Sequence, residues 1–240
     1  IVSYQKLFKE LGRDPTNVEL YDLSQCNSEH ARHWYFKGKL SGIAKSLFDR
    51  IKSCYNISKH LTSLVSFYDN ASVVKGGYTQ EYVISKTLRY EERLLRLHYS
   101  YKAETHNFPT GISPFPGAAT GSGGRIRDLL CVGKGGELIA GTAGYCVGDI
   151  FGSDKNYDFV YHHPINILID ASNGASDYGN KIGEPLIQGF TRSFRQDTKD
   201  NRRIEWLKPI MFSGGMGKIV DYNIKKKKPK VGHLIVRIGG

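Results

Sequence analysis

The residues best suited to chemistry lie between positions 101 and 128. They read Tyr-Lys-Ala-Glu-Thr-His-Asn-Phe-Pro-Thr-Gly, then Ile-Ser-Pro-Phe-Pro, then Gly-Ala-Ala-Thr-Gly-Ser-Gly-Gly-Arg-Ile-Arg-Asp. The first part alternates like a strand, so Lys102, Glu104 and His106 should project from one face. A cation, a carboxylate and an imidazole are costly to bury side by side. Together they supply a phosphate contact, a metal ligand and an acid/base group. Gly117 to Gly124 reads as a glycine-rich turn whose backbone N–H groups approach phosphate oxygens with no Cβ in the way. It lacks the Gly-Lys-Ser/Thr ending of a P-loop. Arg127 and Asp128 follow with a second anion contact and a second metal ligand. Taken singly, each piece favours a glycine hairpin after an edge strand with solvated side chains. Their union in one short stretch points to a nucleotide site.

The elements around this stretch have their own signals. Thr16 and Glu19 form a capping-box pattern after Pro15. Leu20, Leu23, Asn27, His30 and Trp34 then recur at helical spacing, on a face that turns from apolar to polar. His30 and His33 stand three apart, but Arg32 between them disfavours a bound cation and His-Glu-x-x-His is absent. Pairing with local backbone or carboxylates is the plainer reading of both. Residues 43 to 98 read as helix, loop, helix, with Ile43, Leu47 and Ile51 on one face and a break at Gly76-Gly77. Cys131 to Val147 predicts a tight glycine turn, Gly133 to Gly136, and then a small-residue strand. Phe151 to His163 reads as a loop, with His162 and His163 at the surface. Ile165 to Asp170 predicts a strand, with a turn-rich loop over Ser172 to Asn180. Pro209 to Val220 and His233 to Ile238 predict strands on either side of the lysine run Lys225 to Lys230, an exposed connector.

Composition narrows the function classes. A chain of 240 residues with 40% hydrophobic and 24% charged residues is ordinary for a globular protein and buries a sizeable core. The apolar runs are too short to span a bilayer. The first residues lack an initiator Met and a signal-peptide core, which suggests a chain cut from something longer. Cys26, Cys54, Cys131 and Cys146 are spaced as neither a zinc site nor a secreted framework, and free thiols in a reducing cytosol fit them best. The formal net charge of +11 favours anionic partners. A basic nucleic-acid-binding module is one reading of it, though no nucleic-acid motif is present. A non-catalytic nucleotide-binding scaffold is another. Phosphate-rich substrates and the lysine run account for the charge adequately.

Three stretches carry a resemblance to a known family. They are Glu-Thr-His-Asn-Phe-Pro-Thr-Gly with its glycine-rich continuation, Gln-Cys-Asn-Ser-Glu-His-Ala-Arg-His-Trp-Tyr-Phe-Lys-Gly from Gln25, and Ala-Ser-Asn-Gly-Ala-Ser-Asp-Tyr-Gly-Asn-Lys with Lys-Pro-Ile-Met-Phe-Ser-Gly-Gly-Met-Gly. All three occur in the family's order, and over nearly the whole chain the sequence resembles phosphoribosylformylglycinamidine synthase in its large single-chain, eukaryotic-like form. Ala31 stands where bacterial relatives often have Cys, and Phe108 where many have a second His, so neither role carries over.

The resemblance implies an α+β fold, a mixed sheet with helices on one face, like the amino-terminal subdomain of the aminoimidazole ribonucleotide synthetase (PurM-like) superfamily. Residues 1–38 would be linker, and 39–240 the first ATP-using subdomain, whose sheet pairs with a partner half. It implies ATP-dependent conversion of formylglycinamide ribonucleotide to its amidine with glutamine-derived ammonia, in the cytoplasm. His30 and His106 would be catalytic. His33, Lys102 and the run Gly117, Ala118, Ala119, Thr120, Gly121, Ser122, Gly123 and Gly124 would contact ATP. Thr105, Asn107 and Arg127 would bind substrate, and Glu104 and Asp128 would hold Mg2+. The expected partners are the remaining synthetase half and a glutaminase domain of the same longer chain. Membrane is not expected and nucleic acid is disfavoured. The isolated piece is expected to be inactive.

Overall fold

The computed structural model describes residues 2–26, 36–57, 62–152 and 161–237. Contacts divide the chain into two units, Ile1–Leu61 and Thr62–Gly240. The division falls later than the boundary after residue 38 read from the sequence.

Three helices are described in the first unit: α1 (Val2–Glu10), α2 (Asn17–Cys26) and α3 (Leu47–Ile57). The capping box before α2 is present. Glu19 N–H donates to Thr16 Oγ1 at 3.2 Å, and Thr16 N–H donates to Glu19 Oε2 at 2.8 Å. Arg13 forks onto the same carboxylate at 2.9 and 2.7 Å. Its hydrogen bonds come first among the effects that hold Glu19 down at a pKa of about 2. Ser46 caps the start of α3, its Oγ accepting the Asp49 N–H at 3.1 Å and donating to Asp49 Oδ2 at 2.7 Å.

The second unit is built on a seven-stranded mixed sheet. Its strands are β1 (Ser63–Val65), β2 (Ser72–Val74), β3 (Tyr78–Ile84), β4 (Tyr90–Thr105), β5 (Glu137–Val147), β6 (Leu186–Ser193) and β9 (Ile210–Val220). A separate two-stranded hairpin joins β7 (Arg195–Asp197) to β8 (Arg203–Glu205). Along the main sheet the order is β1-β2-β4-β9-β5-β6, with β3 paired to the first half of β4. All these pairs are antiparallel except β5 with β6, which are joined through a helix. That helix is α6 (Pro164–Ile182); with α4 (Asn107–Ile112) and α5 (Pro114–Leu130) it completes the unit.

Strand alternation decides which face the helices cover. On β4, His98 and Ser100 are fully buried, while Tyr99 and Tyr101 are 46% and 42% exposed. On β9, Met211, Ser213 and Ile219 are buried on the covered side. Two apolar clusters fill the interface. Leu129, Val132 and Ile219 meet Val65 and Val73 under one end of α5. Ala118, Met211 and Ala143 meet Ala171 and Ala175 of α6 under the other. A mixed sheet with helices on one face is thus the observed architecture.

Several local expectations are corrected. The glycine run is no turn: Gly117 to Gly124 forms the middle of α5, started by Pro114 at its first position. Its glycines serve close packing. A Cβ on Gly117 would sit 2.7 Å from the Thr110 backbone, one on Gly121 2.7 Å from His106 Cβ, and one on Gly123 2.6 Å from the Tyr178 ring. Ile165 to Asn180 is one helix. Its buried residues Ile167, Ala171, Gly174, Ala175 and Gly179 repeat at helical spacing, and Gly183 closes it in the left-handed region at φ +83°. The second helix expected between residues 43 and 98 is replaced by β1 to β4, because Val65 and Val73 are needed in the core. Residues 233–237 form no strand.

Two contacts tie the segment after β9 back to the sheet, one at β4 and one at the β1–β2 connection. Buried His98 accepts the Gly76 N–H on Nδ1 at 3.1 Å and meets Asp221 Oδ1 through Nε2 at 2.8 Å. Lys226, at the start of the lysine run, is pinned to Asp69 at 2.7 Å.

Candidate functional site

Lys102, Glu104 and His106 lie together where β4 runs into α4, on the face that α5 covers. The strand reading places these side chains correctly: Lys102, Glu104 and His106 are half-buried, whereas Tyr101, Ala103 and Thr105 are exposed on the other face. Backbone pairing fixes the strand, with Lys102 opposite Gly215 and Glu104 opposite Ser213 of β9. His106 leaves the strand by donating its N–H to Met211 O at 2.8 Å. Its carbonyl accepts from Thr110 Oγ1 at 2.5 Å, which starts α4.

Lys102 is the hub. Its Nζ lies 3.0 Å from Asp128 Oδ2 and 3.5 Å from Glu104 Oε2. The Asp128 side chain is only 8% exposed and that of Glu104 40%, so a sheltered carboxylate and an open one converge on one ammonium. Hard carboxylate oxygens are the kind of ligand that Mg2+ takes, one or two carboxylates together with phosphate oxygens and water. Among the described residues no three acidic, His or Cys side chains group as a complete metal site.

The other expected residues are distributed less simply. Asn107 Oδ1 accepts the Met211 N–H at 3.1 Å, and its Nδ2 lies 3.5 Å from Thr105 Oγ1. Asn107 therefore anchors α4 to β9. Arg127 is 73% exposed, 3.9 Å from Asp128 Oδ1, and open to an anion. Gly117, Ala118, Gly121, Ser122 and Gly123 are buried. Their backbone N–H groups are committed within a helix and form no phosphate cradle. Only Ala119, Thr120 and Gly124 of the run reach solvent. His30 and His33 lie outside the described residues.

Sequence reading missed Arg125 and Glu184. Both side chains are fully buried and ion-paired, and Arg125 Nε donates to Ser213 Oγ at 3.1 Å. Nothing in Gly-Gly-Arg-Ile-Arg-Asp says which arginine turns inward. The partner lies 59 residues away.

Comparison with known proteins gives matches along nearly the whole chain. Residues 1–33 match the family described as "Formylglycinamide ribonucleotide amidotransferase linker domain". The chain is 44% identical over 253 residues to phosphoribosylformylglycinamidine synthase of Homo sapiens, covering 99% of this chain and 19% of that protein. It is also 44% identical over 254 residues to a probable chloroplastic/mitochondrial phosphoribosylformylglycinamidine synthase of Arabidopsis thaliana, covering 99% and 18%. Among solved structures, Thermotoga maritima PurL complexed with ADP shares the fold, with a TM-score of 0.52 and 24% identity over 91% of this chain and 27% of that one. The same protein complexed with FGAR gives 0.51 and 25%, over 91% and 26%. By sequence the chain is similar over 99% of its own length to phosphoribosylformylglycinamidine synthases, and it spans about 19% of the human relative's length.

Proposed function

We propose that the full-length protein makes formylglycinamidine ribonucleotide from formylglycinamide ribonucleotide, ATP and glutamine-derived ammonia, and that this chain is its first ATP-side subdomain. In the reaction the substrate amide oxygen attacks the γ-phosphorus of ATP and ADP leaves. Ammonia then adds to the imidate carbon, and the C–O bond breaks to release phosphate. The observation that carries this reading is Lys102 held between Glu104 and Asp128 beside His106.

Lys102 neutralises phosphate charge as it leaves the carboxylates. Glu104 and Asp128 would hold Mg2+, which when bound neutralises the transferring phosphoryl group. His106 moves the proton at the substrate amide. Arg127 offers a bidentate contact to the ribonucleotide phosphate, whereas Thr105 and Asn107 as substrate contacts rest on their motif alone, Thr105 facing the opposite side of the strand from Lys102 and Glu104. His30 as a support for His106, and His33 as an ATP contact, rest on their motif. The open sheet face bearing Tyr99 and Tyr101 suits the remaining synthetase half, with a glutaminase domain supplying ammonia. No described helix is long and apolar enough to cross a membrane. The free thiols of Cys54, Cys131 and Cys146 fit a reducing compartment such as the cytoplasm.

The test is amidine formation by the full-length protein, with Lys102→Ala as the variant. Loss of ATP-dependent turnover, with glutamine hydrolysis retained, is expected. Wild-type turnover by Lys102→Ala, or salt-sensitive polynucleotide binding in place of turnover, overturns the reading.

A further inference from the structure

The buried pair beneath the site has more to say. Arg125 lies one turn before Asp128 on α5. Its guanidinium forks onto Glu184, with Nη2 on Oε2 at 2.5 Å and Nη1 on Oε1, while Nε reaches Ser213 Oγ at 3.1 Å. Glu184 directly follows the cap of α6, and Ser213 belongs to β9. One side chain therefore joins three elements.

The sheet is cut away to admit it. A Cβ on Gly141 would lie 2.6 Å from Glu184 Oε2 and 2.8 Å from Arg125 Nη2, and one on Gly215 would strike Nη1. Gly141, Gly215 and Lys102 form one row across β5, β9 and β4, and Ser213 stands opposite Glu104 in a neighbouring row. The guanidinium thus occupies the rows that carry Lys102 and Glu104, on the face that α5 covers.

Burying two charges is a poor route to stability, since apolar residues of similar volume often do as well or better. A bidentate fork does something that apolar packing does not: it admits one relative orientation of its partners. We propose that Arg125, Glu184 and Ser213 are positioning residues that fix the rotation and the axial setting of α5 on the sheet, and thereby hold Asp128 at Lys102 and Glu104. The proposal rests on the reading of those three as the phosphate- and metal-binding groups. The tolerance is small: slipping α5 by one residue's rise, about 1.5 Å, removes the Lys102–Asp128 contact.

The test replaces the pair by apolar residues, R125M/E184L, in the full-length protein. Three quantities are measured: melting temperature, Mg2+-dependent ADP binding by calorimetry, and KM for ATP against kcat. The expected result is a melting temperature near wild type with ADP binding weakened about ten- to hundredfold, as for a site displaced by an ångström. KM for ATP rises with it, and both are partly restored by raised Mg2+. Ser213→Ala removes one anchor without stranding a charge, and should weaken ADP binding by up to about fivefold, the worth of one net hydrogen bond. Folded R125M/E184L with wild-type ADP binding overturns the proposal. Should that variant fail to fold, wild-type binding by Ser213→Ala overturns it. Lys102→Ala separates the two levels: if it too binds Mg2+ and ADP normally, the reading of the site fails and the proposal with it. If only Lys102→Ala loses binding, the positioning role alone fails.

Discussion

Alanine at three glycines of α5 should give three different stabilities, ordered by what each new methyl meets. On Gly124 the nearest atom is Arg127 Nη2 at 3.7 Å, ordinary contact. Gly124→Ala should therefore gain the helix-propensity difference of about 0.8–1 kcal/mol, raising the melting temperature by about 2–4 °C. On Gly121 the methyl meets His106 Cβ at 2.7 Å and Met211 Sδ at 3.0 Å. The thioether yields but the strand end does not, so overpacking of about 1–3 kcal/mol outweighs the propensity gain and leaves a small loss. On Gly117 the obstacles are backbone atoms, Thr110 N and Cα at 2.7 Å and Pro109 C at 2.8 Å. There the penalty should reach the upper end, a net loss of about 2 kcal/mol. The spread between Gly124→Ala and Gly117→Ala is then about 3 kcal/mol. Urea unfolding of the three variants measures it, and amide exchange along α5 localises it. Equal effects at all three positions, or a loss at Gly124, would refute the helical placement and restore a flexible phosphate-binding turn.

Three further outcomes follow from the site and its supports. Lys102→Met leaves the sheltered Asp128 carboxylate without its ammonium and should cost about 1–3 kcal/mol of stability; an unchanged unfolding midpoint would contradict the hub role. His106→Ala in the full-length protein should lower kcat by about two to four powers of ten with little change in melting, and near-normal turnover with a collapsed melting point would make the histidine structural. The hydrogen bond from His98, with the Arg96 charge nearby, holds the Asp221 carboxyl below its ordinary value. A depressed carboxylate contributes stability above its unfolded pKa, and that contribution is lost as pH falls through the lower folded value. Asp221→Asn should therefore flatten the fall in stability below about pH 4, and an unaltered acid limb in pH-dependent melts would rule this out.

The strand carrying the site was legible in the sequence because period-two alternation from Tyr101 to His106 is a local signal, and β5 was legible as a small-residue run after the Gly133 to Gly136 turn. The glycine run misled because glycine has two uses, freedom of φ and close approach, and composition does not separate them. At Gly117 and Gly121 the use is close approach, visible only once α4 and His106 are in place. The apolar run from Ile165 to Asp170 looks like a strand in a short window, whereas the buried stripe from Ile167 to Gly179 needs the whole helix. Arg125 and Arg127 are two apart and so face different ways on a helix. The inward one is chosen by Glu184, far along the chain, and no local pattern reports that choice.

The order of strands bears on how the protein is made. β4 and β5 are both complete by Val147, yet they do not pair with each other; each waits for β9, through Phe212–Val220 on one side and Ile210–Lys218 on the other. During synthesis both therefore keep a bare hydrogen-bonding edge until Val220 has cleared the ribosome, and one of those edges belongs to the strand bearing Lys102 and Glu104. Such edges are templates for pairing with neighbouring chains, and late-closing, long-range sheets form slowly. A nascent chain stalled before Ile210 is thus the form most exposed to aggregation and most in need of a chaperone.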